Sequence, residues 1–264
     1  MSKQQMHTVR PEDKIPVLGK MCYSIGFAGK DCFQTITNNY IMIFLMMVAG
    51  LPGAFIGTMM LCARIWDAIN DPILGSIADH TDTKWGKFRP YLFSSIPMAI
   101  AFACLFFVPD SFGDVQKMVY YTIVYVIMGM CFTVVEVPYF GLAGAMSFNP
   151  TERATVTAWS RIASRIPAAL IPVLLAAITT AVGDHDGYFY TALVVGAIAI
   201  VTSVIAFLGC REKALVHAEP SAKRHSGFKD FINVIKGNRA LVCVMIVQLF
   251  FTFNTILCDM LNPY

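Results

Sequence analysis

Charge is what this sequence has least of. Asp, Glu, Lys and Arg make up only 14% of its 264 residues, where soluble domains carry roughly a quarter. So little charge cannot coat a soluble surface around a chain that is 56% hydrophobic. Cysteine and histidine offer no organised chemistry either. Cys22, Cys32, Cys62, Cys104, Cys131, Cys210, Cys243 and Cys258 form no CxxC pair, and nearly all fall in apolar runs. They read as small packing residues, not a disulfide framework or a metal site. His7, His80, His185, His217 and His225 are scattered in loops, with no HExxH among them. No Gly-rich phosphate loop with a following Lys-Ser/Thr appears, nor a nucleophile elbow, so neither ATP-driven transport nor an enzyme is encoded here. No cleavable signal peptide is apparent, because the first apolar run continues as a full span.

What the chain has is long apolar runs of about 20 residues, the length that crosses roughly 30 Å of hydrocarbon. They predict spans at 21–46, 50–79, 90–109, 116–146, 157–182, 187–210 and 239–261. Residues 211–238 are polar and form the one long connector. Within it, 227–235 has the pattern of a short amphipathic helix at a membrane surface. The expected organisation is a six-helix bundle over 1–210, a linker over 211–238 and a seventh helix over 239–264. A lone helix after a six-helix block gives the expectation of a fragment whose second block lies beyond Tyr264.

Basic residues orient the spans. Lys3, Arg10, Lys14 and Lys20 precede the first, Lys84, Lys87 and Arg89 follow the second, and Arg153 follows the fourth. The connector after the sixth adds Arg211, Lys213, Lys223, Arg224, Lys229, Lys236 and Arg239. The opposite loops hold Lys117 beside Asp110, Asp114, Asp184 and Asp186. The excess of Lys and Arg puts the N-terminus and the connector in the cytoplasm.

Ionisable residues inside the spans stand out, since each costs about 2.5–3.5 kcal/mol at mid-span. Arg64, Asp67, Asn70 and Asp71 lie on or near one face of the second span. Two carboxylates one turn apart repel in a low dielectric, so either a cation sits between them or one is protonated. Asn70 adds an oxygen of the kind a hard cation prefers. Pro72 predicts an irregularity here, because it frees the carbonyl of Ala68. In the first span Lys30 and Asp31 are neighbours that do not share a face, which argues against a simple internal pair. In the fourth, Thr133 and Glu136 face together and Phe140 follows one turn on. A carboxylate that accepts from hydroxyls, beside a ring that stacks on a pyranose, suits a sugar. Arg161 lies inside the fifth span and needs an anionic partner, with Asp31 and Glu136 as candidates. In the turn after the second span, Asp79 precedes Lys84, Lys87 and Arg89, a set suited to pairing and to holding the carbonyl ends of neighbouring helices. Gly53 and Gly57 read as a small-residue helix-packing pair.

The run Ala63-Arg64-Ile65-Trp66-Asp67-Ala68-Ile69-Asn70-Asp71-Pro72, followed by Trp85-Gly86-Lys87-Phe88-Arg89-Pro90-Tyr91, strongly resembles the glycoside–pentoside–hexuronide:cation symporters. These belong to the major facilitator superfamily and include melibiose permease and the glucuronide carriers. Gly29-Lys30-Asp31 and Glu136-Val137-Pro138-Tyr139 match in order and spacing. The resemblance implies an all-α polytopic membrane protein: a major-facilitator-type N-terminal six-helix bundle, a linker and the first helix of a C-terminal bundle. It implies a cation site at Asp67, Asn70, Asp71 and Thr133, and a sugar site at Asp31, Glu136, Phe140 and Arg161 with Lys30 alongside. Melibiose permease has Asp where Glu136 stands and Trp where Phe140 stands, which departs from a galactoside pattern. The implied activity is symport of a sugar, glycoside or hexuronide with Na⁺ or H⁺ in a bacterial inner membrane. It uses no cofactor beyond that coupling ion. Lipid surrounds the chain, nothing points to nucleic acid, and the missing six-helix half is needed for transport. The rival readings are a non-transporting sensor remnant of such a carrier and a transporter of the related lysolipid branch.

Overall fold

The computed structural model describes residues 14–81, 83–108, 111–212, 237–238, 242–247 and 250. Among them the chain is helical, without a strand. Helix α1 spans Val17–Ile43 and continues through a π-helical turn, Phe44–Val48. Helix α2 spans Gly53–His80, and a 3-10 turn at Arg89–Ser94 leads into α3, Ser95–Leu105. Then come α4 (Asp114–Ala145), α5 (Pro150–Ala163), α6 (Arg165–Val182) and α7 (Asp184–Gly209). The backbone at 242–247 is helical. Most of the expected linker and seventh span lies outside the described residues.

Helices are the form open to a chain this apolar, because a backbone in hydrocarbon must satisfy its own hydrogen bonds. Asp114–Ala145, Pro150–Val182 and Asp184–Gly209 are each long and apolar enough to cross a membrane. Helices α1 and α2, at 27 and 28 residues, match them in length but carry ionisable groups in their middles.

Three expectations about local structure are corrected. The fifth span begins at Pro150, not near 157, and breaks at Ser164. Asn149 caps it by accepting from the N–H of Thr151 at 3.0 Å, with Pro150 in the first turn. The break has its cause in Pro167, whose ring clashes with the carbonyl four residues back, at Ala163. By contrast, Pro72 produces no break, and α2 runs unbroken past it. Among the described residues the expected Gly53–Gly57 pair packs no helix: nothing lies where a Cβ on Gly57 would be, and only Met46 Cε, at 3.4 Å, lies near that of Gly53.

The glycines that do pack helices are on α1 and α7. A Cβ on Gly26 would lie 2.5 Å from Ala206 Cβ, and one on Gly29 would collide with Thr202. One on Gly209 would collide with Cys22. These close approaches hold α1 along α7, the most extensive helix pairing in the bundle. At the end of the bundle away from the basic loops, Phe33, Phe102, Phe106 and Phe44 close the core edge to face, and Tyr188 stacks on Phe106. Helix α2 packs chiefly on α4. Its outer face exposes Leu61, Ile65, Ile69, Ile73 and Ile77 at four-residue spacing, an apolar stripe, while Asn70 is buried on another side of the helix.

Candidate functional site

Lys30 is the centre of the first group of charges. Its side chain is 1% exposed, with Nζ 2.7 Å from Asp31 Oδ1 and 2.9 Å from Glu136 Oε1. The same ammonium lies 4.4 Å from the ring centroid of Phe27, and 5.3 and 5.8 Å from those of Phe132 and Phe140. So Lys30 and Asp31 do form an internal pair, contrary to the expectation from their adjacency. A four-carbon stem lets the ammonium turn back onto its neighbour while still reaching α4. The arrangement also corrects the expected partner of Arg161. No described carboxylate pairs with it; its Cζ lies 5.7 Å from the Phe27 centroid and 5.9 Å from that of Phe140. Lys30 holds both acids, and Arg161 is left with aromatic faces, an electrostatically favourable seat for a cation. Phe140 is half exposed and meets Phe27 edge to face at 5.8 Å. Its ring is thus both braced and open on one side.

The second group lies beside a cavity of about 150 Å³ between α1, α2 and α4. Asp67, Asp71, Thr133 and Glu136 line it, with Gln34 and Thr37 from α1. Local contacts set the register. Asp67 Oδ1 sits 3.5 Å from where a Cβ on Gly129 would be, and Gly75 meets Val137 in the same way, at 3.8 Å. Helices α2 and α4 therefore run parallel, and the same offset puts Asp71 level with Thr133. A Cβ on Gly129 would make ordinary contact with the Asp67 carboxylate, so α2 and α4 are in close register here. Thr133 donates its hydroxyl hydrogen to the Gly129 carbonyl at 3.2 Å, leaving its oxygen free to accept.

Asn70 is buried but does not line this cavity, and its Nδ2 has no partner among the described residues. Arg64 touches Asp67 only at 4.0 Å, from a guanidinium that is 67% exposed. A pair that loose contributes little. The α2 carboxylates thus carry one formal negative charge more than the one neighbouring arginine supplies. Two carboxylates, a hydroxyl and a nearby carboxamide are hard oxygen donors, which fit a small monovalent cation or a proton.

The basic end is stapled by Arg89, as its place in the turn suggested, and by Glu212, which sequence reasoning missed. Glu212, just past α7, accepts from the backbone N–H groups of Lys87, Phe88 and Arg89 at 2.7, 2.9 and 2.9 Å. Gly86 makes room: its φ is +114°, and a Cβ there would lie 2.7 Å from the Glu212 carboxyl carbon. Arg89 donates through Nε and Nη2 to the Phe207 carbonyl, the former at 3.2 Å, and through Nη1 to the Trp85 carbonyl at 3.3 Å. Its guanidinium also stacks 4.6 Å over the Phe207 ring. Lys87 lies 5.1 Å over the Phe88 ring, and that ring fills the space left by Gly141 on α4. Lys84 is exposed in the turn. Asp79 lies in the last turn of α2, with its side chain outside the described residues.

Nearby, Glu152 takes Lys20 at 2.8 Å and the N–H of Ile15 at 3.2 Å, tying α1 to α5. Its place in the first turn after an Asn-Pro cap was a signal available in the sequence. Glu212 had none, since it stands in an ordinary polar stretch.

Comparison with known proteins points the same way. Residues 22–264 match the family described as MFS/sugar transport protein. The inner membrane symporter YicJ of Escherichia coli is 31% identical over 211 residues, 78% of this chain and 45% of that protein. The isoprimeverose transporter of Lactiplantibacillus pentosus is 27% identical over 250 residues, covering 92% of this chain and 51% of its own length. A glucuronide carrier protein homolog of Escherichia coli is 28% identical over 238 residues, or 88% and 51% of the two chains. The chain spans about half the length of the curated relatives it matches. It is an integral membrane protein, and it belongs to the sugar-transport family of the major facilitator superfamily, within the glycoside–pentoside–hexuronide:cation symporters.

Proposed function

We propose that this chain is the N-terminal part of a carrier that couples downhill entry of Na⁺ or H⁺ to uptake of a sugar, glycoside or hexuronide. The observation that carries the reading is on α4. Thr133 and Glu136, one turn apart, line one cavity with Asp67 and Asp71, while Glu136 holds the Lys30 that also holds Asp31. Cation binding at Asp67, Asp71 and Thr133 therefore acts on the same helix turn that presents an acid to the sugar. Asn70 completes the ion shell once its buried carboxamide turns to that shell. Asp31 and Glu136 accept from sugar hydroxyls, which compete with the Lys30 ammonium, while Phe140 stacks on the ring and Arg161 donates to it. The names of the relatives support the substrate class, since they include an isoprimeverose transporter and a glucuronide carrier homolog.

Residues 1–210 form the six-helix bundle, 211–238 the linker and 239–264 the first helix of a second bundle, with the N-terminus in the cytoplasm. Transport requires that second bundle, against which the first rocks about the fixed site. Asp79, Lys84, Lys87 and Arg89 belong to the cytoplasmic closure. Sugar uptake into vesicles with and without an inward sodium or proton gradient tests the reading. Gradient-driven accumulation should disappear in Asp71→Cys; accumulation unchanged in that variant contradicts the ion role.

A further inference from the structure

Threonines in these helices have a habitual place for the hydroxyl. Thr35, Thr58, Thr122, Thr191 and Thr202 each donate to the carbonyl four residues back, at 2.7 to 2.9 Å. Thr37 does not. Its Oγ1 is buried and has no hydrogen-bond partner among the described residues. A buried polar atom left unpaired in a native structure needs a reason, and an ion is one of the few available. The local option was open to Thr37, as Thr35 shows in the same helix two residues away.

The place of Thr37 supplies the reason. It lines the cavity that Asp67, Asp71 and Thr133 line. Helices α1 and α4 run antiparallel, since Tyr23 Oη donates to the Tyr139 carbonyl at 3.0 Å and Lys30 reaches Glu136 further along. Thr37 lies two turns beyond Lys30, which brings it level with the stretch of α4 around Gly129, where the Asp67 carboxylate packs. Of the residues α1 contributes to this cavity, Thr37 is the one whose oxygen is already removed from solvent.

We infer that Thr37 supplies a hydroxyl oxygen to the coupling cation, so that the ion site of α2 and α4 extends onto α1, the helix that carries Asp31. This rests on the reading of Asp67 and Asp71 as the cation site and gives it a third wall. Sodium would then be recognised by the oxygens of three helices. An ion held this way fixes α1 directly, without passing through α4. A proton needs no such oxygen, because it resides on one carboxylate, so the hydroxyl favours Na⁺ over H⁺.

The experiment is a sodium titration of the unfolding temperature of the full chain in detergent, with choline chloride holding ionic strength constant. Wild type, Thr37→Val, Thr37→Ser and Asp71→Asn are compared. Valine keeps the shape and removes the oxygen; serine keeps the oxygen. Thr37→Val should raise the half-saturating sodium concentration by about tenfold, on the scale of lost metal-site oxygen contacts. Thr37→Ser should titrate as wild type, and Asp71→Asn should lose the response. The choline baseline reads any plain loss of stability separately. A Thr37→Val titration that superimposes on wild type while Asp71→Asn is silent overturns the role of Thr37 and leaves the acid site standing. A full response in Asp71→Asn overturns the acid site itself. A wild-type chain that responds to pH but not to sodium also overturns the role of Thr37.

Discussion

The two groups of membrane carboxylates are neutralised in different ways. Asp31 and Glu136 sit on separate helices and share one buried ammonium at 2.7 and 2.9 Å, with Arg161 close by over the same rings. Their charges balance within the protein. Asp67 and Asp71 sit on one helix, share a cavity and, among the described residues, have only the exposed Arg64, 4.0 Å from Asp67, for a cationic partner. Their charges do not balance. The first group is closed to an ion because Lys30 already occupies it, yet it suits a neutral ligand whose hydroxyls can replace ammonium hydrogens. The second is open to an ion by default. Two acid pairs in one bundle thus differ in what stands next to them, and the proposed division into a sugar site and an ion site rests on that difference.

The comparison breaks most visibly at Lys30. Lys30→Met leaves the buried Asp31 and the half-buried Glu136 without their shared ammonium and should cost about 3 kcal/mol, the low end of the range for removing one partner of a buried pair. Thermal or denaturant unfolding reads the loss. Lys30→Met combined with Glu136→Gln should be less destabilised than the sum of the two changes, because the second removes one of the stranded charges. Additive losses would mean that Lys30 does not hold Glu136.

A smaller effect is expected at the basic end, where a carboxylate is fully matched without any ammonium. Glu212→Ala leaves three backbone N–H groups unpaired and should cost about 1–3 kcal/mol. Faster proteolysis of the turn at 83–88 would report the same loss. Gly86→Ala should resemble it, since the added Cβ meets the Glu212 carboxyl carbon at 2.7 Å.

The smallest effects sharpen the contrast from the other side. Arg64→Ala should change stability by only about 0.2–1 kcal/mol, as for a loose exposed pair; a large loss would mean that the α2 acids are internally paired after all.

Much of this was legible in the sequence, and the parts that were not have physical reasons. The cost of a charge in hydrocarbon makes Asp31, Asp67, Asp71, Glu136 and Arg161 conspicuous within apolar runs. Helical spacing then groups Asp67 with Asp71 and Thr133 with Glu136, and both groupings appear around one cavity. Spacing along a helix says nothing about which cation on another helix claims an acid. Hence Arg161 was expected to pair with Asp31 or Glu136, and Lys30 holds both instead. Proline was read correctly as a helix disruptor but at the wrong place: Pro72 is absorbed by a continuous α2, while the break comes before Pro167. Small-residue spacing misled for a similar reason. Gly53 and Gly57 have the pattern, but the helices approach closely at Gly26, Gly29 and Gly209. Glu212 was invisible because its partners are backbone N–H groups, which every sequence has.

The most direct test of the account is a sodium titration of unfolding temperature in Asp71→Asn and Glu136→Gln beside wild type. The prediction is a sodium-dependent rise in wild type that survives in Glu136→Gln and vanishes in Asp71→Asn. A rise that persists in Asp71→Asn, or that disappears only in Glu136→Gln, would contradict the division of the membrane acids into a closed pair and an open one.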